Sequence, residues 1–437
     1  MLDLIVRGAT LPDGRSGVDI GVRDGRIAEI APQLAVQGRR EIDASGRLVT
    51  PPFVDSHFHL DTALSVGRPR HNESGTLLEG IAIWGEQKPR LTIEEVRERA
   101  LELCRWAIAR GCLAIRSHVD VCDDRLVAVD ALLDVRRTMA RYIDLQLVAF
   151  PQDGFLRSPS ARANLLRALD RGVDVVGGIP HFERTMADGA ASVRELCEIG
   201  AERGLLVDMH CDESDDPLSR HVETLAAETI RLRLQGRVTG SHLTSMHSMD
   251  NYYVSKLLPL MSEARLNAVA NPLINITLQG RHDTYPKRRG MTRVRELLAA
   301  SVNVSFGHDC VMDPWYSLGS HDMLEVAQMG VHVGQLTGRD EMRAAFAAVT
   351  LNGARTMGLD DYGIEVGKRA DLVVLQASDP IEALRLRANR LFVIRRGEII
   401  AESAPLESRV VLDDRSFRVD FGATPTTETS LHAQLPR

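Results

Sequence analysis

Val54-Asp55-Ser56-His57-Phe58-His59 closes the first of eight short apolar runs, and its reading decides the fold. Side chains two apart on a strand share a face, so His57 and His59 can converge on one ion from a single rigid element. Fourteen histidines in 437 residues give roughly 0.4 such pairs by chance, so the pair alone decides nothing, and its surroundings must. Runs rich in Val and Ile recur near 48–59, 112–119, 143–150, 173–180, 204–211, 236–242, 266–273 and 302–309, separated by helical stretches. This alternation is the signature of βαβ units, and eight of them predict a (β/α)8 barrel over residues 51–359.

One crossover shows the rhythm. Thr92-Ile93-Glu94-Glu95 reads as a capping box. Val96, Ala100, Leu103 and Ala107 then form an apolar stripe, and Gly111 stands where a left-handed cap belongs. Residues 1–50 and 360–437 carry short β-branched runs with Asp-Gly turns and predict a small β-sandwich domain built from both chain ends. The stretch 61–91, which carries Gly67, Pro69, Gly75, Gly80 and Pro89, is too long for an ordinary βα loop and reads as an insertion over the barrel mouth.

In such a barrel the strand C-termini meet at one face. There the fifth run brings Asp208-Met209-His210, the sixth Ser241-His242 and the eighth His308-Asp309. Burying ionisable groups at four strand ends has no stability rationale, so a metal site is predicted. His57, His59, His210 and Asp309 make an N/O donor set suited to one divalent ion, Fe²⁺ or Zn²⁺, with an open position for water whose pKa falls from about 15.7 towards about 7. Glu213, three residues after His210, is placed as a proton shuttle. His242 is a base or an orienting donor. Cys211 points to the opposite face of its strand and reads as core, and His118 and Asp120 lie behind the ligands.

The charge balance of 53 basic and 60 acidic groups disfavours nucleic acid or an anionic membrane as partner. No stretch reaches the roughly 18 apolar residues of a membrane helix, and six cysteines without a C-x-x-C pair read as reduced thiols. A cytoplasmic protein is expected. The short basic run Pro286-Lys287-Arg288-Arg289 reads as a solvated or subunit-contacting loop.

The series His57-Phe58-His59-Leu60-Asp61-Thr62, Ser74-Gly75-Thr76-Leu77, Ala149-Phe150-Pro151-Gln152, Ile179-Pro180-His181-Phe182-Glu183, His210-Cys211-Asp212-Glu213, Ala270-Asn271-Pro272-Leu273 and Gly307-His308-Asp309 resembles the bacterial cytosine deaminases of the amidohydrolase superfamily, over about residues 1–400. The resemblance implies the same barrel and sandwich, one iron or zinc ion on His57, His59, His210 and Asp309, and a homo-oligomer. It implies that Glu213 protonates the ring nitrogen and that His242 and Asp309 activate water. Gln152 would read the ring carbonyl, with Leu77, Phe150, Cys310 and Trp315 as further substrate contacts. The fourth run, 173–180, has no Lys for a bridging carbamate, so a two-metal arrangement is not expected. The P-C-x-x-C element of nucleoside deaminases is missing as well.

The expected substrate is therefore a free pyrimidine base, cytosine (to uracil) or 5-methylcytosine (to thymine), with release of ammonia. Isocytosine, creatinine or an aminotriazine are alternatives. A non-catalytic barrel that stores or senses a base is the reading from another class. One position departs from the resemblance, since Cys310 stands where a second Asp is usual. A thiol withdraws a carboxylate edge near the amino group and C5, leaving room for a 5-methyl group. Relief of a clash recovers roughly 1–3 kcal/mol and a buried methyl adds about 0.8 kcal/mol, so selection for the methyl group stays within about 10- to 200-fold.

Overall fold

The computed structural model describes residues 1–422. The chain opens with β1 (Leu2–Ala9), β2 (Val18–Arg23), β3 (Arg26–Ala31) and β4 (Gly38–Asp43), which form one sheet in the order β3-β2-β1-β4. Next comes β5 (Leu48–Thr50), which leaves that sheet for one supplied by the far end of the chain.

The barrel strands follow: β6 (Phe53–Phe58), β7 (Cys112–Asp120), β8 (Asp144–Phe150), β9 (Val175–Gly178), β10 (Leu206–Cys211), β11 (Val238–His242), β12 (Asn267–Ala270) and β13 (Asn303–Phe306). They pair in parallel, each with the next. A bridge between Phe58 and Asp309 and a 2.9 Å hydroxyl contact from Ser56 to Ser305 bring β13 back to β6, so the barrel nearly closes. All eight expected runs contain a barrel strand, but the first divides. Pro51-Pro52, which lack N–H donors, interrupt the ladder, so 48–50 belongs to the small domain and only 53–58 to the barrel. The seventh ends early as well, because Pro272 starts a helix, Pro272–Leu278.

Beyond the barrel, β14 (Leu372–Leu375), β15 (Arg390–Arg395) and β16 (Glu398–Glu402) join β5 in the order β16-β15-β14-β5. The two four-stranded sheets bury Val6, Ile20 and Val22 of one against Val49, Val374 and Ile394 of the other. A hairpin, β17 (Ser408–Leu412) and β18 (Arg415–Val419), forms a sheet of its own with mostly exposed residues. Residues 423–437, expected in the small domain, lie outside the described residues. Among the described residues no helix is long and apolar enough to cross a membrane.

Two helices position the mouth of the barrel. In α1 (Leu77–Gln87), within the long insertion, the Thr76 hydroxyl accepts from the Glu79 N–H at 3.3 Å. In α2 (Ile93–Ala109), Thr92 accepts from Glu95 N–H at 3.2 Å, but the reciprocal half of the box is replaced by ion pairs from Glu95 to Arg68 (3.3 Å) and Arg99 (3.5 Å). The stripe Val96, Ala100, Leu103 and Ala107 is fully buried, and Gly111 takes the left-handed φ of +74°.

Candidate metal centre and active site

The seam that closes the barrel also builds the site. The His59 N–H donates to the Asp309 carbonyl at 3.1 Å, and the Asp309 N–H donates to the His57 carbonyl at 2.9 Å. Asp309 adopts a left-handed φ of +68°, a backbone conformation a non-glycine residue holds only when its surroundings demand it. Its Oδ1 is thereby 3.4 Å from both His57 Nε2 and His59 Nε2. From β10, His210 Nε2 approaches His59 Nε2 to 3.1 Å. The ligand atoms of His57, His59, His210 and Asp309 lie within 4.8 Å of one another, all buried.

These residues fit a cation. Both ring nitrogens of His57 and Nδ1 of His210 are buried without a hydrogen-bond partner, an arrangement that costs about 1–3 kcal/mol per group unless something fills the space. Burial pushes His57 down to about 3, His59 to about 4 and His210 well below the usual imidazole range, so all three are neutral, the form that binds metal. Burial raises the Asp309 carboxyl, a shift that a bound cation reverses. His57, His118 and Asp208 form a second grouping within 4.8 Å. There, however, Asp208 already accepts from fully buried Arg116 at 2.8 Å and from Ser241 at 2.7 Å. The fixed guanidinium opposes a second cation.

Glu213 reaches the centre because Asp212 anchors the loop leaving β10. The Asp212 carboxylate accepts from Ser219 Oγ (2.7 Å), His221 Nδ1 (2.8 Å) and the Val222 N–H (2.8 Å), tying it to the start of the helix His221–Arg231. Glu213 is 6% exposed. Burial, reinforced by Asp309, pushes its carboxyl well above the usual range. His242, last residue of β11, holds a left-handed φ of +72°. Its Nδ1 is 3.5 Å from Glu213 Oε1 and its Nε2 is 3.8 Å from Asp309 Oδ2.

A cavity of about 520 Å³, counting the space at its open mouth, lies over these groups. Of the expected substrate contacts, Leu77, Gln152, Cys310 and Trp315 line it, together with His59, His210, Glu213, His242 and Asp309. Phe150 does not. It is fully buried behind the wall, stacked on the His210 ring at 4.0 Å and 15°, where it orients that imidazole. His57 likewise lies below the cavity floor, against His118 at 4.1 Å between ring centroids. Cys211 is core, as expected. Ile179, His181 and Phe182 also line the cavity; they stand in a quoted motif but carried no separate signal. His181 Nδ1 donates to the His210 carbonyl at 3.2 Å.

A family model described as the amidohydrolase family matches residues 40–411. This chain belongs to the amidohydrolase family. Among similar proteins, N-isopropylammelide isopropyl amidohydrolase of Pseudomonas sp. (strain ADP) is 30% identical over 412 residues, 92% of this chain and 97% of the relative. Pterin deaminase of Rhizobium rhizogenes is 30% identical over 399 residues, 90% of each. The crystal structure of 5-methylcytosine deaminase from Klebsiella pneumoniae liganded with 5-fluorocytosine matches with a TM-score of 0.90 and 42% identity, covering 93% of this chain and 99% of that one. Family and neighbours mark this amidohydrolase as a hydrolase of carbon–nitrogen bonds.

The amidohydrolase shapes its mouth with α1. A Cβ at Gly80 would lie 2.4 Å from Trp315 Cδ1, so only glycine lets that indole lie against the helix. Trp84 packs on Trp315 at 6.5 Å and donates to Asp120 at 2.9 Å. Lys88, just beyond α1, bridges Asp120 and Asp153. The basic run at 286–289 is exposed, as expected of a solvated loop, with Lys287 on the Gly280 carbonyl and Arg288 on Asp283.

Proposed function

We propose that this chain hydrolytically deaminates a free pyrimidine base, with 5-methylcytosine (to thymine) favoured over cytosine (to uracil). The observation that carries the reading is a buried Glu213 facing the same cavity as the Gln152 amide and the ion site. The likeness to 5-methylcytosine deaminase supports it.

The divalent ion, Fe²⁺ or Zn²⁺, would be held by His57, His59, His210 and Asp309, and supplies the Lewis acidity that lets water ionise near neutral pH. Gln152 holds the ring carbonyl and adjacent N–H. Glu213 takes the proton released as water adds to C4 and delivers it to N3; the remaining C4 hydroxyl proton then passes to the exocyclic amino group, whose C–N bond breaks to release ammonia as the carbonyl forms. Cys310, 4% exposed, lines the cavity with its Sγ 3.8 Å from Asp309 Oδ1. Burial drives the thiol well above its usual range, so it presents a neutral edge that tolerates a methyl group at C5.

Ammonium release across cytosine, 5-methylcytosine, isocytosine, creatinine and aminotriazines tests the reading. A kcat/KM for 5-methylcytosine a thousandfold below that for cytosine would overturn the preference, and no turnover of any aminopyrimidine would overturn the class. Glu213→Gln should lower kcat by about 10²- to 10⁴-fold while base binding is retained. A second reading, an N-substituted aminotriazine, is favoured by the N-isopropylammelide relative and is separated by the same panel.

A further inference from the structure

His242 faces the reacting end of the cavity, and its two ring nitrogens have different neighbours. Asn275, fully buried one turn into the helix Pro272–Leu278, places its side-chain Nδ2 3.1 Å from His242 Nδ1. The orientation of that amide is fixed by chemistry. Its Oδ1 accepts the Asn271 backbone N–H at 3.1 Å, and a backbone N–H can only donate. Turning the amide over would set two donors against each other at Asn271. The NH₂ end therefore faces His242 at 3.1 Å, and Nδ1 accepts from it rather than donating to Glu213 Oε1, which stands farther off at 3.5 Å. A neutral imidazole carries one hydrogen, so it sits on Nε2, the nitrogen 3.8 Å from Asp309 Oδ2. The neighbouring Asn271 Nδ2 lies 3.3 and 3.4 Å from the two nitrogens and favours neither.

We infer that Asn275 is a positioning residue which locks His242 as an Nε2–H donor, so that His242 polarises what lies between it and Asp309. The catalytic consequence rests on the deaminase reading above, whereas the tautomer rests on the hydrogen bonds alone.

The test uses the zinc-loaded full-length protein labelled with ¹⁵N-histidine, the His242 signals being identified by their loss in His242→Gln. The expected result is a bare Nδ1 and a protonated Nε2. Asn275→Asp offers an acceptor in the same shape and should move the hydrogen to Nδ1. It should lower kcat for 5-methylcytosine by roughly 10- to 100-fold, with KM and zinc content unchanged. Asn275→Leu should leave a tautomer mixture and an intermediate kcat. A hydrogen on Nδ1 in the unaltered protein overturns the inference, as does an Asp variant that keeps Nε2–H or one that swaps tautomer at undiminished kcat. If the Asp variant does not fold, the unaltered protein's spectrum decides. A swapped tautomer in a protein that deaminates no aminopyrimidine upholds the positioning and sinks the deaminase reading instead.

Discussion

Lys88 Nζ lies 2.9 Å from Asp120 Oδ2, with the two side chains 11% and 4% exposed, and this pair fastens the mouth insertion to the end of β7. Burial alone would lower the ammonium's pKa, but Asp120 and Asp153 outweigh it and raise it. Removing one member of a buried pair leaves the other uncompensated. Lys88→Met should therefore cost about 3 kcal/mol of stability. It should also raise KM, because Asp153 adjoins Gln152. Thermal unfolding of the ion-loaded protein and steady-state kinetics check both, and an unchanged melting temperature would contradict the first.

Cys310→Asp restores a carboxylate beside the C5 side of the cavity. The ratio of kcat/KM for 5-methylcytosine to that for cytosine should fall, within the roughly 10- to 200-fold range a methyl-sized difference allows. Kinetics on both bases in the two proteins measure it, and an unchanged ratio would show that the thiol does not set the preference.

Stripping the ion with a chelator should abolish ammonium release, and Zn²⁺ or Fe²⁺ should restore it. The melting temperature should drop at the same time. Binding to the folded state alone contributes about 2.7 kcal/mol when free ion exceeds Kd a hundredfold. Full activity in verified metal-free protein would rule out the proposed centre.

Burial lowers His181 to about 4 from the ordinary 6.5. The unfolded chain protonates this residue first, so between about pH 6.5 and 4 it binds more protons than the folded one and stability falls as pH falls. His181→Gln should flatten that decline by up to about 3 kcal/mol. Denaturant unfolding at pH 7 and pH 4.5 gives the comparison, and parallel declines in the two proteins would refute it.

The barrel and its ion site were legible because both write themselves locally. Apolar β-branched runs mark each strand, and His57, His59, His210 and Asp309 stand at strand ends, which topology alone brings together. What was hidden depends on long-range pairing. Arg116 and Asp208, both fully buried and 92 residues apart in sequence, meet inside the barrel at 2.8 Å, and nothing in either strand announces the partner. Phe150 sits two residues before Gln152 and shares its motif, yet only packing decides that it backs His210 while Gln152 faces the cavity. Asn275 is one polar residue in a short apolar helix, and its purpose emerges only from the direction of its amide.

The clasp between Phe58 and Asp309 has a consequence for how the protein is made. Its first two ion-binding residues leave the ribosome about 150 residues before the third, since His59 and His210 are 151 positions apart, and Asp309 follows later still. A nascent chain holding only the early histidines lacks the full donor set, which is completed when the last barrel strand closes onto the first.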